Sequence, residues 1–400
     1  MKKPVNGTRF LVLLLLTTLL GETVPAQGPG QRPLAAQGTT NAVQLPNPTG
    51  SDPKPEDASK AILAAFDNYE VVGMGAAHGN KDMDDFILHL IRDPAFPSKV
   101  NDVAVECGNS LYQPILDRYI AGDDVALSEV RQVWRNTTQP MCGVSSFYEE
   151  LFPLVRRINQ KLPPEKELRV LAGDPPIDWS KVKSFEDFGQ FLMRRDATTA
   201  SVMEKEVLSR HRKALMLFGT AHLFHHGNVA GIQPAVELYE KDYPGLTLVI
   251  GDHAGFGNWT APARYNEELE ARMVGWPVPS LVQQLKGTWL ANLDETYFSR
   301  TVDAYLYLGP RDLLLREPAP ADIFLDKDYM AELQRRAATM GAGPITDQAD
   351  PGKLSEHDSN PFLYDPDQLR RMVQPIGTNS SQSGSGTQAG PPSRTPPTNP

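Results

Sequence analysis

Apolar residues in this chain follow two rhythms. Short β-branched runs alternate with longer stretches whose apolar positions recur every three or four residues, the periods of strand and helix. A helix is expected over Pro55–Phe66, a strand over Tyr69–Met74, and a helix over Asn80–Arg92 with Met83, Phe86, Ile87, Leu90 and Ile91 on one side. Pro94 ends that helix, because the residue before a proline disfavours the α region. Asp102–Glu106 reads as the second strand, and a helix follows through Tyr112, Ile115, Leu116, Tyr119 and Ile120. Val125–Gly143 looks like an insertion with a short helix reaching Trp134, and Phe147–Gln160 is a helix. Leu168–Leu171 is a strand, Phe185–Ser209 one helix with Arg194, Arg195 and Asp196 in its interior, and Ala214–Phe218 a strand. A helix from Ile232 to Lys241 and a strand Leu246–Ile250 come next. Past Trp259 the pattern weakens: Tyr305–Leu308 is a strand, Tyr329–Met340 a helix, and Trp259–Thr301 is expected to be loops and lid-like elements. Strand and helix in alternation with short connections predict an α/β fold, a mostly parallel central sheet flanked by helices on both faces.

The ends depart from this pattern. Lys2, Lys3 and Arg9 precede the apolar run Phe10–Leu20 and then Val24-Pro25-Ala26, the order of a secretory signal peptide at residues 1–26. An uncleaved anchor is the alternative, although the run is shorter than the roughly 20 residues a membrane span needs. Residues 27–59 and 377–400 are rich in Gly, Pro, Ser, Thr and Gln, and such composition buries too little apolar area to offset ordering entropy. Both are expected to be disordered tails around a single α/β domain at 60–376. A formal net charge of −10 argues against nucleic acid and anionic membrane as partners, and the mature chain is expected to be secreted or periplasmic, with no membrane association after signal cleavage. The two cysteines, Cys107 and Cys142, are open to two readings: one disulfide, or a buried small hydrophobe and a loop thiol.

Polar residues gather where the strands end. His78, Glu106, Asp174, His222 and the Asp252-His253 pair each follow a strand, beside or close to glycine. Ligands of open parallel sheets bind outside those carboxyl ends, and glycine permits tight turns and close backbone approach there. Histidines and carboxylates on one crevice make either a general acid/base site or a metal site. The catalytic candidates are His78, Glu106, His222 and Asp174; a metal set would be His78, His222 and Glu106. His225 and His253 are the candidates for holding a cofactor, although Gly227 places His225 and His226 on a loop. Arg118 or Arg156 could hold an anion or orient Glu106. No Gly-x-Ser-x-Gly elbow is present, so activated water is the more economical nucleophile.

The segments Val71–Pro94, Val103–Gly122, Arg169–Trp179 and Leu215–Leu223 resemble the superfamily of erythromycin esterase-like, ChaN-like haem-uptake and TraB/Tiki proteins. That resemblance implies an α/β core and a site of two strand-end histidines with acidic residues, here His78, His222 and Glu106. The esterase and ChaN-like branches carry a glutamate shortly before the first histidine; Ala76 and Gly75 occupy those positions here. Gly219-Thr220-Ala221-His222-Leu223 matches the second motif of the TraB/Tiki branch. The expected function is an exported hydrolase acting on a small-molecule or peptide ester or amide. The alternatives are a non-catalytic binder of haem or a divalent metal, and a member whose chemistry went with the missing glutamate.

Overall fold

A computed structural model of the chain describes residues 50–75, 79–227, 232–253, 270–291, 302–315 and 317–341. The expected signal segment, residues 27–49 of the first tail, the tail 377–400 and His78 with Ala76 lie outside these. Residues 50–59, expected to be disordered, are described instead, and they are ordered because Glu56 and Asp57 pair with Leu281 and Ser280. The described strands are β1 (Glu56–Asp57), β2 (Val71–Gly75), β3 (Asp102–Asn109), β4 (Arg169–Asp174), β5 (Ala214–Phe218), β6 (Thr247–Asp252), β7 (Ser280–Val282) and β8 (Ala304–Tyr307). They form one sheet in the order β1-β7-β8-β6-β2-β5-β3-β4. Pairings from β8 through β4 are parallel, whereas β7 joins β8 and β1 joins β7 antiparallel.

The helices are α1 (Ala58–Ala65), α2 (Lys81–Arg92), α3 (Phe96–Lys99), α4 (Gln113–Ile120), α5 (Leu127–Arg135), α6 (Phe147–Asn159), α7 (Phe185–Leu192), α8 (Arg195–Glu206), α9 (Ala235–Tyr239), α10 (Ala321–Leu325) and α11 (Lys327–Thr339). Strand alternation divides them into two layers. Val72, Val103, Val105 and Leu215 pack with α1, α2 and α4–α6, while Val71, Ala104, Met216 and Phe218 pack with α8 and α9 on the opposite face. Both faces are covered, which is why β5 is apolar and buried throughout.

Chain order explains the layers. From β2 to β3 to β4 the chain moves outward with its helices on one face; from β4 through β5 to β6 it returns with helices on the other. Right-handed crossovers running in opposite directions must use opposite faces. The return drops β5 between β2 and β3, so the direction reverses where their carboxyl ends meet. The amino edge is closed differently: buried Asp102 accepts from Arg169 Nε and Arg212 Nε at 2.7 Å each.

Three expectations need correction. The helix Phe185–Ser209 is two helices, because Arg194 leaves helical geometry at φ −107°, ψ 1°. The helix expected from Ile232 starts at Ala235, after extended Pro234, and ends at Tyr239. The Trp259–Thr301 stretch contains the strand β7, and residues 254–269 and 292–301 lie outside the described set. Among the described residues no helix is long and apolar enough to cross a membrane.

Candidate functional site

Two glycines let the end of β5 lie across β2. After Phe218 the chain turns at Gly219 into a single 3-10 turn, Thr220–His222, that folds over the sheet. A Cβ on Gly73 would press on Leu223 at 3.2 Å, and one on Gly75 would collide with Thr220 Oγ1. Glycine in β2 is therefore a packing requirement, and it brings the β5 turn against the end of the strand that leads to His78.

Glu106 is aimed by a β-bulge. The register of β3 with β4 shifts between Val105 and Asn109, and Gly108 sits so close to Ala172 that a Cβ would not fit. Val105 and Cys107 face one layer, and Glu106 faces the other, towards α8. Its Oε2 accepts the Gly219 N–H at 2.6 Å, and its Oε1 pairs with the Arg195 guanidinium. Arg195 also places Nε 3.5 Å from Asp174 Oδ1.

His222 completes the group. Its Nδ1 lies 2.8 Å from Asp196 Oδ1, and its Nε2 faces Glu106 Oε1 at 3.7 Å. Burial pulls the imidazole pKa down, but the charge and hydrogen bond of Asp196, with help from Glu106, outweigh it, and the ring titrates above its usual range. Asp174 is fully enclosed and accepts from Thr138 N at 2.6 Å and Thr138 Oγ1 at 2.5 Å. Burial pushes its pKa up to about 6 against the opposing pull of Arg195 and Thr138. Asp174 touches Arg195 and not His222, so its place is behind the guanidinium.

A disulfide links Cys107 to Cys142, with Cα atoms 5.4 Å apart, which settles the open cysteine reading. It ties β3, one residue past Glu106, to the loop that carries Thr138. A strap after β8 crosses the same edge: Arg311 N–H donates to Glu270, Lys81 N–H to Leu315 O at 2.9 Å, and Glu317 N–H to Gly79 O at 2.8 Å. Glu317 Oε1 then accepts from Ser145 Oγ at 2.8 Å and Phe147 N at 2.7 Å, at the start of α6.

Two expected cofactor ligands are committed elsewhere. His225 donates to Glu240 Oε2 at 2.7 Å and Asp303 Oδ2 at 2.8 Å. Although burial lowers its pKa, those two bonds carry it to about 9. His253 spends one ring nitrogen on Tyr305 and the other on Glu270 at 2.8 Å. Burial holds this ring below the ordinary imidazole pKa. Both ring nitrogens of His225 and of His253 are thus occupied by protein partners. Arg118 pairs with Asp123, and Arg156 binds the carbonyls of Tyr119, Gly122 and Asp123, so neither orients Glu106.

Arg195 does that work, with Asp196 beside it, and the sequence pattern puts both inside a helix. The readable signal was length: Phe185–Ser209 exceeds the usual 8–20 residues, and the charged Arg194-Arg195-Asp196 run was the place for it to break. Of the proposed metal set, His222 and Glu106 come together, while His78 lies outside the described residues. Among the described residues no group of three or more His, Cys, Asp or Glu could hold a metal ion.

No protein-family model matches the chain, and no curated protein matches it. Among solved structures it is similar to a succinoglycan biosynthesis protein, at 10% identity and a TM-score of 0.45 over 68% of this chain and 96% of that one. It is similar also to a mutant of the erythromycin esterase EreC in its open conformation, at 10% identity and a TM-score of 0.43 over 66% and 94%. A third is ChaN of Campylobacter jejuni with cofacial heme, at 12% identity and a TM-score of 0.31 over 48% and 85%.

Proposed function

We propose that this protein is an exported hydrolase that cleaves an ester or amide with a water activated between His222 and Glu106. The observation that carries the reading is the 3.7 Å separation of His222 Nε2 from Glu106 Oε1. That distance is too long for a direct hydrogen bond, and a water bonded to both would sit at its apex. In the reaction the water passes a proton to Nε2 as its oxygen attacks the carbonyl carbon. The Arg195 guanidinium balances the negative charge that develops, and the imidazolium returns the proton to the leaving oxygen or nitrogen. Glu106, anchored by Gly219 and Arg195, orients the water, and Asp174 steadies Arg195 from behind. The Cys107–Cys142 disulfide supports export, since such bonds persist in oxidising compartments.

Haem does not fit the described residues. His225 and His253 have no ring nitrogen to offer, and Nε2 of His222 looks onto a carboxylate instead of the apolar slot that a porphyrin face requires.

The test is hydrolysis of p-nitrophenyl esters of increasing acyl length by the mature protein. His222→Ala and Glu106→Gln should each lower kcat/KM by about 10²–10⁴-fold, the usual worth of a positioned acid or base. Unchanged turnover in both variants overturns the reading. A Soret shift on haem titration that disappears in His222→Ala would favour binding instead.

A further inference from the structure

We infer that Asp196 is the positioning residue of His222: it holds the ring proton on Nδ1 and so leaves the Nε2 lone pair to the crevice. This deepens the hydrolase reading and rests on it for its catalytic meaning, while its structural content stands separately.

The geometry is overdetermined. Asp196 is buried in the first turn of α8, one residue after Arg195. Its Oδ1 accepts from His222 Nδ1 at 2.8 Å and from Ala235 N, the first residue of α9, at 2.9 Å. An ionised carboxylate can only accept, so the nitrogen that meets it carries the hydrogen. The tautomer thus follows from donor chemistry. Once Nδ1 is spent, a neutral ring presents Nε2 as an acceptor, which a base requires. The backbone donor from α9 keeps the carboxylate from swinging away, and the Phe218 ring meets the imidazole edge-on at 6.5 Å, limiting its rotation. Among the described residues, the groups facing the imidazole across the site are Glu106 from β3 and Arg195 from α8. Neither reaches Nδ1 in place of Asp196: Arg195 is committed to Glu106 and Asp174, and Glu106 lies on the Nε2 side.

One residue pair therefore serves the whole site. Arg195 sets the carboxylate and Asp196 sets the imidazole, so the start of α8 aligns the two groups that flank the water. Support of this kind is typically worth 10–100-fold in activity.

Nitrogen-15 NMR of the histidine rings in the intact mature protein tests the inference without any substrate. His222 should carry its neutral-form proton on Nδ1; a proton on Nε2 overturns the inference outright. In Asp196→Ala the proton should move to Nε2, with kcat down about 10–100-fold and KM within about twofold. Asp196→Asn keeps an oxygen that can accept from both donors, so it should retain the Nδ1 proton and recover a large part of kcat. If Asp196→Ala retains the wild-type tautomer or kcat, the inference fails even where His222→Ala abolishes turnover. If the tautomer moves in Asp196→Ala but no ester is hydrolysed by any form, the ring assignment stands and the hydrolase reading falls. Should Asp196→Ala not fold, the wild-type spectrum and Asp196→Asn still decide.

Discussion

His225 shows how a single half-buried ring can carry a measurable share of stability. Clamped between Glu240 and Asp303, it holds its proton to a pKa of about 9 in place of the ordinary 6.5. A histidine whose folded pKa is raised contributes stability fully below its unfolded pKa and loses it as pH climbs through the folded one. Two and a half pKa units correspond to about 3 kcal/mol. His225→Ala should therefore cost about 3 kcal/mol at pH 6, with the difference from wild type closing as pH passes about 9. Urea denaturation of both proteins across that range checks it, and a constant difference would show that packing and not charge is at stake. The partners of this ring could not be read from the sequence. A histidine after a strand looks alike in sequence whether its nitrogens are free or bonded, and the partners, Glu240 and Asp303, are 15 and 78 residues away.

At the scale of elements, what matters is how segments distant in sequence are fastened near Glu106. The disulfide closes 35 residues of chain that include α4, α5 and Thr138. Chain-entropy arguments put the worth of such a closure at about 4 kcal/mol. Cys142→Ser should lower stability by about 2–4 kcal/mol and weaken the hold of Thr138 on Asp174, read as a lower denaturation midpoint with KM for esters rising before kcat falls. The strands were legible because their period is local: β5 occupies the expected residues Ala214–Phe218, and Glu106, Asp174 and His222 stand near the strand ends where they were sought. The start of α8 was legible only as an over-long helix, not as the place where two binding side chains begin. Amphipathic spacing runs on through Met193 and Arg194, and the break there reflects what Arg195 and Asp196 bind across the fold, which no local rule contains. β7 escaped for a similar reason, since a three-residue antiparallel strand takes its stability from β8 and β1. The disulfide lay between: spacing allowed it, and only the approach of two segments could decide it.

Over the whole molecule, the parallel sheet sorts its polar groups by edge. Asp102 with Arg169 and Arg212 closes the amino edge as a buried ion pair network, while the carboxyl edge holds Glu106, Asp174, Arg195 and His222. Helices occupy both faces, so the strand ends are the part of the sheet left for chemistry. The strap from Arg311 to Glu317 braces that edge, spanning from Glu270 to the start of α6. The contact of Gly75 with Thr220, finally, makes two positions 145 residues apart a single unit of inheritance. Gly75→Ala should cost about 1–3 kcal/mol by overpacking, and Thr220→Ala in the same chain should recover at least half of it. A double-mutant cycle measures the coupling, and strictly additive effects would deny it. If the coupling holds, Gly75 gains a side chain at little cost only after Thr220 has shrunk, and the order of those two events is fixed in advance by the space between them.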